Sequence, residues 1–238
     1  MNAIATTRLW LACAAIAFCA WVTTGRAESL ALDETLRTNT IKIVCIGDSI
    51  TSGLGLAEPT RQSYPARLAT MLGPKWATLN VGIPAVTCLA SGDKPLCNQP
   101  AIPTAMGMDP DVVVIMLGTN DATTNNWLHA DKFVSDYVDL VNAFKGMWTH
   151  PQVWICTPPP TFTPPGSIVE DAVITDQLIP KIHEVAAKTG VSVIDIHAIM
   201  KDMEGFFPDK IHPNAEGALN IAEHVYRAIT GRVPPRRE

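Results

Sequence analysis

Residues 41–51 read IKIVCIGDSIT, a nearly continuous apolar, β-branched run that ends in Gly47, Asp48 and Ser49. Such a run, without alternating polar side chains, is typical of a strand buried on both faces of a parallel sheet. Four more runs along the chain have the same character, so a sheet of about five parallel strands is expected. The predicted strands are Ile41–Gly47, Trp76–Gly82, Val112–Gly118, Gln152–Pro158 and Val191–Ile196.

Amphipathic segments lie between these strands, with apolar residues at helical spacing. Strands that alternate with helices predict a three-layer α/β sandwich with right-handed crossovers, formed by one domain over residues 28–238. Residues 83–110 and the proline-rich residues 157–166 interrupt the pattern and are predicted to be rim loops without helix. The predicted helices are Ser63–Leu72, Lys132–Met147, Ile168–Lys188 and Ala215–Ile229.

The composition and charge narrow the class of protein. Hydrophobic residues make up 47% of the chain and charged residues 17%, which is enough apolar material for a real core. The formal net charge of −5 provides no basic surface for nucleic acid, so no nucleic-acid partner is expected.

The N-terminus has the pattern of an export signal. Arg8 precedes an uncharged apolar stretch, Leu9–Val22, that is too short to span a bilayer comfortably. Small residues follow and suit cleavage after Ala27, so residues 1–27 are predicted to be a secretory signal peptide. The protein is therefore expected to be secreted or periplasmic, without stable membrane insertion. An uncleaved membrane anchor is the alternative.

Cysteine usage fits an exported protein. Cys88 and Cys97 flank a polar, turn-rich loop, and a disulfide between them is expected in an oxidising compartment, with two free thiols as the alternative. Cys45 and Cys156 sit in apolar runs and are predicted to be buried. No cysteine or histidine spacing resembles a zinc site, and neither a metal nor another cofactor is expected.

Polar residues that follow the strands converge on one rim, where open parallel sheets bind ligands. Ser49 follows the first strand, Gly82 the second and Asn120 the third, while Asp209 and His212 come after the fifth. This set contains a serine nucleophile, a histidine base and an aspartate that orients the base. The backbone N–H groups of Ser49 and Gly82 and the side chain of Asn120 are the expected oxyanion hole.

Each of these residues also has a purely structural interpretation. Ser49 or Asn120 could cap a helix, and Gly82 could simply end a strand. Asp195, at the end of the fifth predicted strand, is an alternative orienting group for the histidine. Asp121 is interpreted as a structural residue rather than a chemical one.

Four short blocks of the sequence resemble those of the SGNH hydrolases, also called GDSL esterases and lipases. They are GDSIT at 47–51, NVG at 80–82, GTND at 118–121 and DKIHPN at 209–214, in the order of that family. The resemblance implies a flavodoxin-like α/β/α fold. It places the family's roles on Ser49, Gly82, Asn120 and His212, with Asp209 as the third member of the triad. Ile50 stands where the family name has leucine.

The substrate is less clearly indicated. Residues 118–121 and 206–217 resemble bacterial sugar-ester acetylesterases, whereas residues 47–72 resemble lysophospholipases and thioesterases. We expect a secreted serine esterase that deacetylates a carbohydrate or another small O-acyl ester, with Asn125, Asn126 and Trp127 as candidate sugar contacts. The alternatives are a lysophospholipase, arylesterase or thioesterase acting on longer chains, and an inactive carbohydrate-binding module. No feature indicates an oligomeric state.

Overall fold

The computed structural model describes residues 31–32 and 34–235, so the predicted signal peptide lies outside the described residues. The described chain forms one five-stranded, all-parallel sheet in the order β2-β1-β3-β4-β5, which is the flavodoxin-like order. The first two strands have the predicted bounds. The third and fourth end earlier because the chain leaves the ladder to form rim loops, and the fifth is shorter at both ends because Asp195 already caps the next helix. The strands are β1 (Ile41–Gly47), β2 (Trp76–Gly82), β3 (Val112–Met116), β4 (Gln152–Cys156) and β5 (Ser192–Ile194).

Helices cover both faces of the sheet and confirm the three-layer prediction. Helices α4, α5 and α7 pack on the face that carries Val44 and Ile115, and helices α3, α8 and α9 pack on the face that carries Ile43 and Val114. None of the helices in the described part of the chain is long and apolar enough to cross a membrane. The helices are α1 (Ser49–Ser52), α2 (Pro59–Gln62), α3 (Tyr64–Leu72), α4 (Ala101–Gly107), α5 (Phe133–Lys145), α6 (Asp171–Val173), α7 (Ile179–Thr189), α8 (Ile196–Met200) and α9 (Ala215–Thr230).

The expectation that residues 83–110 contain no helix is wrong, because α4 forms within this segment. Its only internal proline, Pro103, is the third residue of the helix. The first N–H groups of a helix have no partner inside it, so a proline there removes no hydrogen bond. A second difference is a π-helical turn, Ile174–Leu178, between α6 and α7 within the long predicted helix.

The expected disulfide between Cys88 and Cys97 is not formed in the structure, where both are free thiols. Cys88 is buried and Cys97 is exposed, so the two side chains lie in different environments. Backbone hydrogen bonds close the same loop without a covalent link: Thr87 donates to the Lys94 carbonyl and accepts from the Leu96 N–H, each at 2.9 Å. The prediction that Cys45 and Cys156 are buried is confirmed.

Candidate active site

Ser49 is the first residue of α1, directly after the carboxyl end of β1. The preceding residue, Asp48, caps this helix by accepting a hydrogen bond from the Ile50 N–H at 2.9 Å. Asp48, and not Ser49, is therefore the N-cap of α1. Its Oγ instead lies 2.8 Å from Nε2 of His212.

His212 and Asp209 face Ser49 from the turn that leads into α9. Nδ1 of His212 lies 2.7 Å from Oδ2 of Asp209, and Oδ1 of Asp209 accepts the backbone N–H groups of Ile211 and His212 at 3.0 and 2.6 Å. Lys210, between them, has φ = 70°, so the turn passes through the left-handed region. One short turn therefore holds the base and its orienting carboxylate together.

The hydrogen bonds decide which nitrogen of His212 carries the proton. A carboxylate accepts only, so Nδ1 carries the proton towards Asp209 and Nε2 is left to accept the Ser49 hydroxyl proton. Partial burial acts to raise the pKa of Asp209, but the hydrogen bonds from His212 and Ile211 outweigh it and hold the pKa below its ordinary value. Asp209 is therefore ionised at neutral pH, as an orienting group must be.

Asp195, the alternative orienting residue, lies elsewhere in the network. Its Oδ1 accepts hydrogen bonds from the Thr157 hydroxyl at 2.9 Å and from the Ala198 N–H at 3.1 Å. It therefore caps α8 and ties the start of the proline-rich loop to that helix. The structure shows no contact between Asp195 and His212.

Gly82 has a packing role that its sequence position did not reveal. A Cβ atom at Gly82 would lie 2.2 Å from the backbone nitrogen of Ser52, so only glycine allows α1 to pack against the end of β2. The Ile83 N–H bonds to the Gly47 carbonyl of β1. Since N–H directions alternate along a strand, the Gly82 N–H points to the free edge, where Asn80 Oδ1 accepts it at 2.9 Å. In this structure the Gly82 N–H is therefore engaged by the Asn80 side chain.

The next turn contains a backbone N–H group that is not bonded within the described chain. Ile83 donates to Gly47, Pro84 has no N–H, and Val86 donates to Ile83. Within the described chain the Ala85 N–H has no hydrogen-bond partner, and Ala85 adopts φ = 65°, which is uncommon for alanine. No pattern of residue types predicts this conformation, because alanine does not favour it.

Asn120 connects the loop after β3 to this same turn. Its Nδ2 donates to the Val86 carbonyl at 3.0 Å, which leaves the second Nδ2 proton available. The buried Asn126 donates to the Asn120 carbonyl at 2.9 Å. Trp127 donates from Nε1 to Gln177 at 2.8 Å. Two of the three candidate sugar contacts, Asn126 and Trp127, therefore use these donors in internal hydrogen bonds that stabilise the loop.

Two buried carboxyl groups, those of Asp121 and Asp48, accept backbone N–H groups close to the site. Asp121 accepts the N–H groups of Cys88 and Leu89 at 3.0 and 2.8 Å, so it anchors the loop after β2, as its structural interpretation predicts. Burial raises the pKa of Asp121 to about 7. Burial likewise raises the pKa of Asp48 to about 6, against the opposing effect of the Ile50 N–H and of nearby His212.

A known protein family matches the part of the chain that contains these residues. Residues 45–218, which include Ser49, Asn120 and His212, match the model of the GDSL-like lipase/acylhydrolase family. The chain belongs to this family. Membership confirms both the resemblance found in the sequence and the predicted class of enzyme, a carboxylic ester hydrolase of the GDSL type.

Individual relatives of this GDSL enzyme are also informative. It is 38% identical to an acetylxylan esterase from Xylanibacter ruminicola over 79% of this chain, although it spans only 43% of that protein. Among solved structures, a carbohydrate acetylesterase from Sinorhizobium meliloti has a TM-score of 0.65 at 22% identity, covering 79% of this chain and 98% of that one. An aryl esterase from M. smegmatis has a TM-score of 0.64 at 20% identity, with coverages of 79% and 98%. These two structural likenesses establish the fold.

Proposed function

We propose that this chain is an exported serine esterase that removes acetyl groups from a carbohydrate. The observation that carries the proposal is the continuous hydrogen-bonded series from Ser49 Oγ through the His212 ring to Asp209, with distances of 2.8 and 2.7 Å. A serine hydroxyl becomes a nucleophile when an oriented base can take its proton. An inactive binding module would have no use for this arrangement.

In the first half of the proposed reaction, Ser49 Oγ attacks the acetyl carbonyl carbon while its proton passes to His212 Nε2. The tetrahedral intermediate carries a negative oxygen. When it collapses, the bond to the sugar oxygen breaks and Nε2 returns the proton to that oxygen, which leaves as the alcohol. In the second half, water gives a proton to Nε2 and its oxygen attacks the carbonyl carbon of the acetyl-serine. The bond from that carbon to Oγ then breaks, Nε2 returns the proton to Oγ, and the acetic acid that leaves ionises to acetate.

Three donors are proposed for the oxyanion: the Ser49 N–H, the second Nδ2 proton of Asn120 and the Ala85 N–H. The Ala85 group takes the place first assigned to Gly82, whose N–H is bonded to Asn80. The bond from Asn120 to Val86 holds the carboxamide beside the Ala85 turn. Donors fixed before the reaction stabilise the developing charge without reorganisation.

A groove next to α1 and β2 has few large aliphatic side chains, which favours a sugar over a long acyl chain. A cavity of about 670 Å³ borders α1 at Ser52 and the end of β2 at Asn80 and Gly82. Its lining consists of hydroxyl-bearing, alanine and proline side chains, with Leu79 as the only large aliphatic residue. A long acyl chain gains only about 0.8 kcal/mol per methylene, and only where water is excluded, so this lining suits a hydroxylated group better. The name of the Xylanibacter relative supports the same choice.

Activity on longer acyl chains is the second candidate, and it has a specific observation in its favour. Leu54, Leu128 and Ile168 are 48%, 79% and 74% exposed. Leu54 follows α1, and the Ile168 carbonyl accepts the Thr124 N–H of the loop after β3. These side chains therefore offer apolar surface near the rim to which an acyl chain could bind.

A series of p-nitrophenyl esters from acetyl to octanoyl, together with acetylated xylan, tests the two candidates. We expect kcat/KM to be highest for acetyl and to fall with chain length, and we expect acetate to be released from the polysaccharide. Octanoyl esters cleaved tenfold faster than acetyl esters would establish the long-chain alternative instead. Export is tested separately by N-terminal sequencing of the processed protein, which should begin at Glu28.

A further inference from the structure

A second surface cavity, of about 430 Å³, lies at the amino ends of the parallel strands, whereas Ser49 lies at their carboxyl ends. Its walls come from the first residues of β1, including Lys42, and from the turns that precede β1, β3 and β4, including Asp111 and Thr149. Ser49, by contrast, follows the carboxyl end of β1. The seven residues of β1 separate these two ends of the sheet by roughly 20 Å. The volume falls in the range of small-molecule sites, about 300–1,000 Å³. Nothing in the ester-hydrolysing machinery uses this cavity.

One wall of this cavity is the indole of Trp148, which is 76% exposed. Its Nε1–H donates to Oδ1 of Asp109 at 2.9 Å, so the ring is held in place while most of its surface remains in water. A fixed aromatic ring binds a partner at low entropic cost, because few torsions remain to be frozen. The apolar C–H face of a pyranose ring is a natural partner for such a surface.

The charges around the cavity favour an uncharged ligand. Arg37 and Lys42 supply two positive charges, and Asp109 and Asp111 supply two negative ones, so the formal sum is zero. Arg37 is paired with Asp111 at 2.6 Å, and Lys42 Nζ donates to the Met108 carbonyl at 3.0 Å. A phosphate or a carboxylate would find no surplus cation here. A ligand that presents hydroxyl groups can bind without disturbing these pairs.

A polar atom without a partner gives a second, independent indication of a ligand. Thr149 lines the cavity, and its Oγ1 is buried and makes no hydrogen bond within the described chain. A buried hydroxyl that makes no hydrogen bond costs about 1–3 kcal/mol. This oxygen is closed to solvent, so a ligand hydroxyl bonds to it only when the Thr149 side chain turns towards the cavity, and that bond would recover part of this cost.

We propose that this cavity is a second carbohydrate-binding site, which holds a neutral pyranose chain against Trp148 and Thr149. The choice of a sugar rests on the proposed function, whereas the aromatic wall, the balanced charges and the unpartnered hydroxyl are features of the cavity itself. A chain bound here keeps the polysaccharide on the enzyme while its ester groups are hydrolysed at the other end of the sheet.

The test titrates unacetylated xylohexaose into a Ser49→Ala protein carrying ¹⁵N-labelled indoles, so that no turnover occurs. Trp148 reports on the proposed site and Trp127 on the catalytic rim. We expect a saturable shift of the Trp148 Nε1–H signal. Thr149→Val should weaken this binding at least about fivefold while leaving the free energy of unfolding unchanged or raised, because it removes a buried unpartnered hydroxyl. Thr104→Val, on α4, is the matched control and should bind as its parent does.

The outcomes separate this inference from the proposed function. A Trp148 signal that stays fixed while that of Trp127 moves would mean binding at the catalytic rim only, and would overturn the second site. A Trp148 signal that changes with protein concentration in the absence of sugar would identify the surface as a contact between copies of the chain, and would also overturn it. If xylohexaose shifts Trp148 but acetylated xylan is not deacetylated by the active enzyme, the second site stands and the proposed substrate fails.

Discussion

Asn120 Nδ2 donates to the Val86 carbonyl at 3.0 Å, and this bond joins the loop after β3 to the turn that contains Ala85. Two of the three proposed oxyanion donors are thus held by one contact. We predict that Asn120→Ala lowers kcat for p-nitrophenyl acetate by about 10²- to 10³-fold, because it removes one donor and releases the turn that holds another. Asn142→Ala, an exposed asparagine change on α5, is the control and should keep full activity.

Replacing single backbone amides by esters distinguishes Ala85 from Gly82 as the backbone donor. Incorporation of lactic acid at position 85 removes that N–H and should lower kcat by about 10²- to 10³-fold. Glycolic acid at position 82 removes an N–H that bonds to Asn80, so we expect only a modest kinetic change. The reverse ranking of the two ester variants would return the oxyanion role to Gly82.

The members of the triad act as a unit, so removing either Ser49 or His212 should have a similar effect. We predict that Ser49→Ala and His212→Ala each lower kcat/KM by about 10⁴-fold or more with the fold retained, as circular dichroism would check. Asp209→Ala should cost less, because the nucleophile and the base remain and Asp209 acts through His212. Full activity of Ser49→Ala would contradict the proposed mechanism.

The buried carboxyls predict that stability falls as pH rises through the weakly acidic range. The pKa values of Asp48 and Asp121, about 6 and about 7, are raised by burial, so the folded state binds protons more tightly than the unfolded state. Their contribution is therefore complete below about pH 4 and is lost as pH rises to about 7. The stabilisation that comes from the lowered pKa values of Asp171 and Asp209 is fully present above about pH 4 and is lost only as pH falls below it.

Urea denaturation at about pH 4.5 and about pH 7.5 measures this effect. We expect the free energy of unfolding to be lower at the higher pH, by a few kcal/mol in order of magnitude. Asp121→Asn should be less stable at both values, since an amide cannot accept both N–H groups, but it should depend less on pH. An equal pH dependence in Asp121→Asn would assign the effect to other groups.

The sequence predicts the strands, and the proximity of Ser49, His212 and Asp209, for reasons that are local. β1 and β2 are marked by apolar runs ended by glycine. A serine at a strand end, and an aspartate three residues before a histidine, indicate their chemistry by their residue types. The hydrogen-bond partner of the Gly82 N–H is harder to predict, because it depends on β2 pairing with β1 on one side only. The left-handed conformation of Ala85 likewise depends on its surroundings, and an alanine does not predict it.

The two cysteines of the loop after β2 provide the last prediction. Cys97 is exposed, whereas Cys88 is buried, and burial raises the pKa of its thiol well above the ordinary value. Because the thiolate is the reactive form, iodoacetamide should alkylate Cys97 in the folded protein and Cys88 only after unfolding. Peptide mass mapping with and without denaturant measures both. Isolation of a peptide pair linked through Cys88 and Cys97 from exported protein would show instead that the loop is closed covalently, and that the hydrogen bonds between Thr87 and residues 94–96 bring two segments together that oxidation then joins.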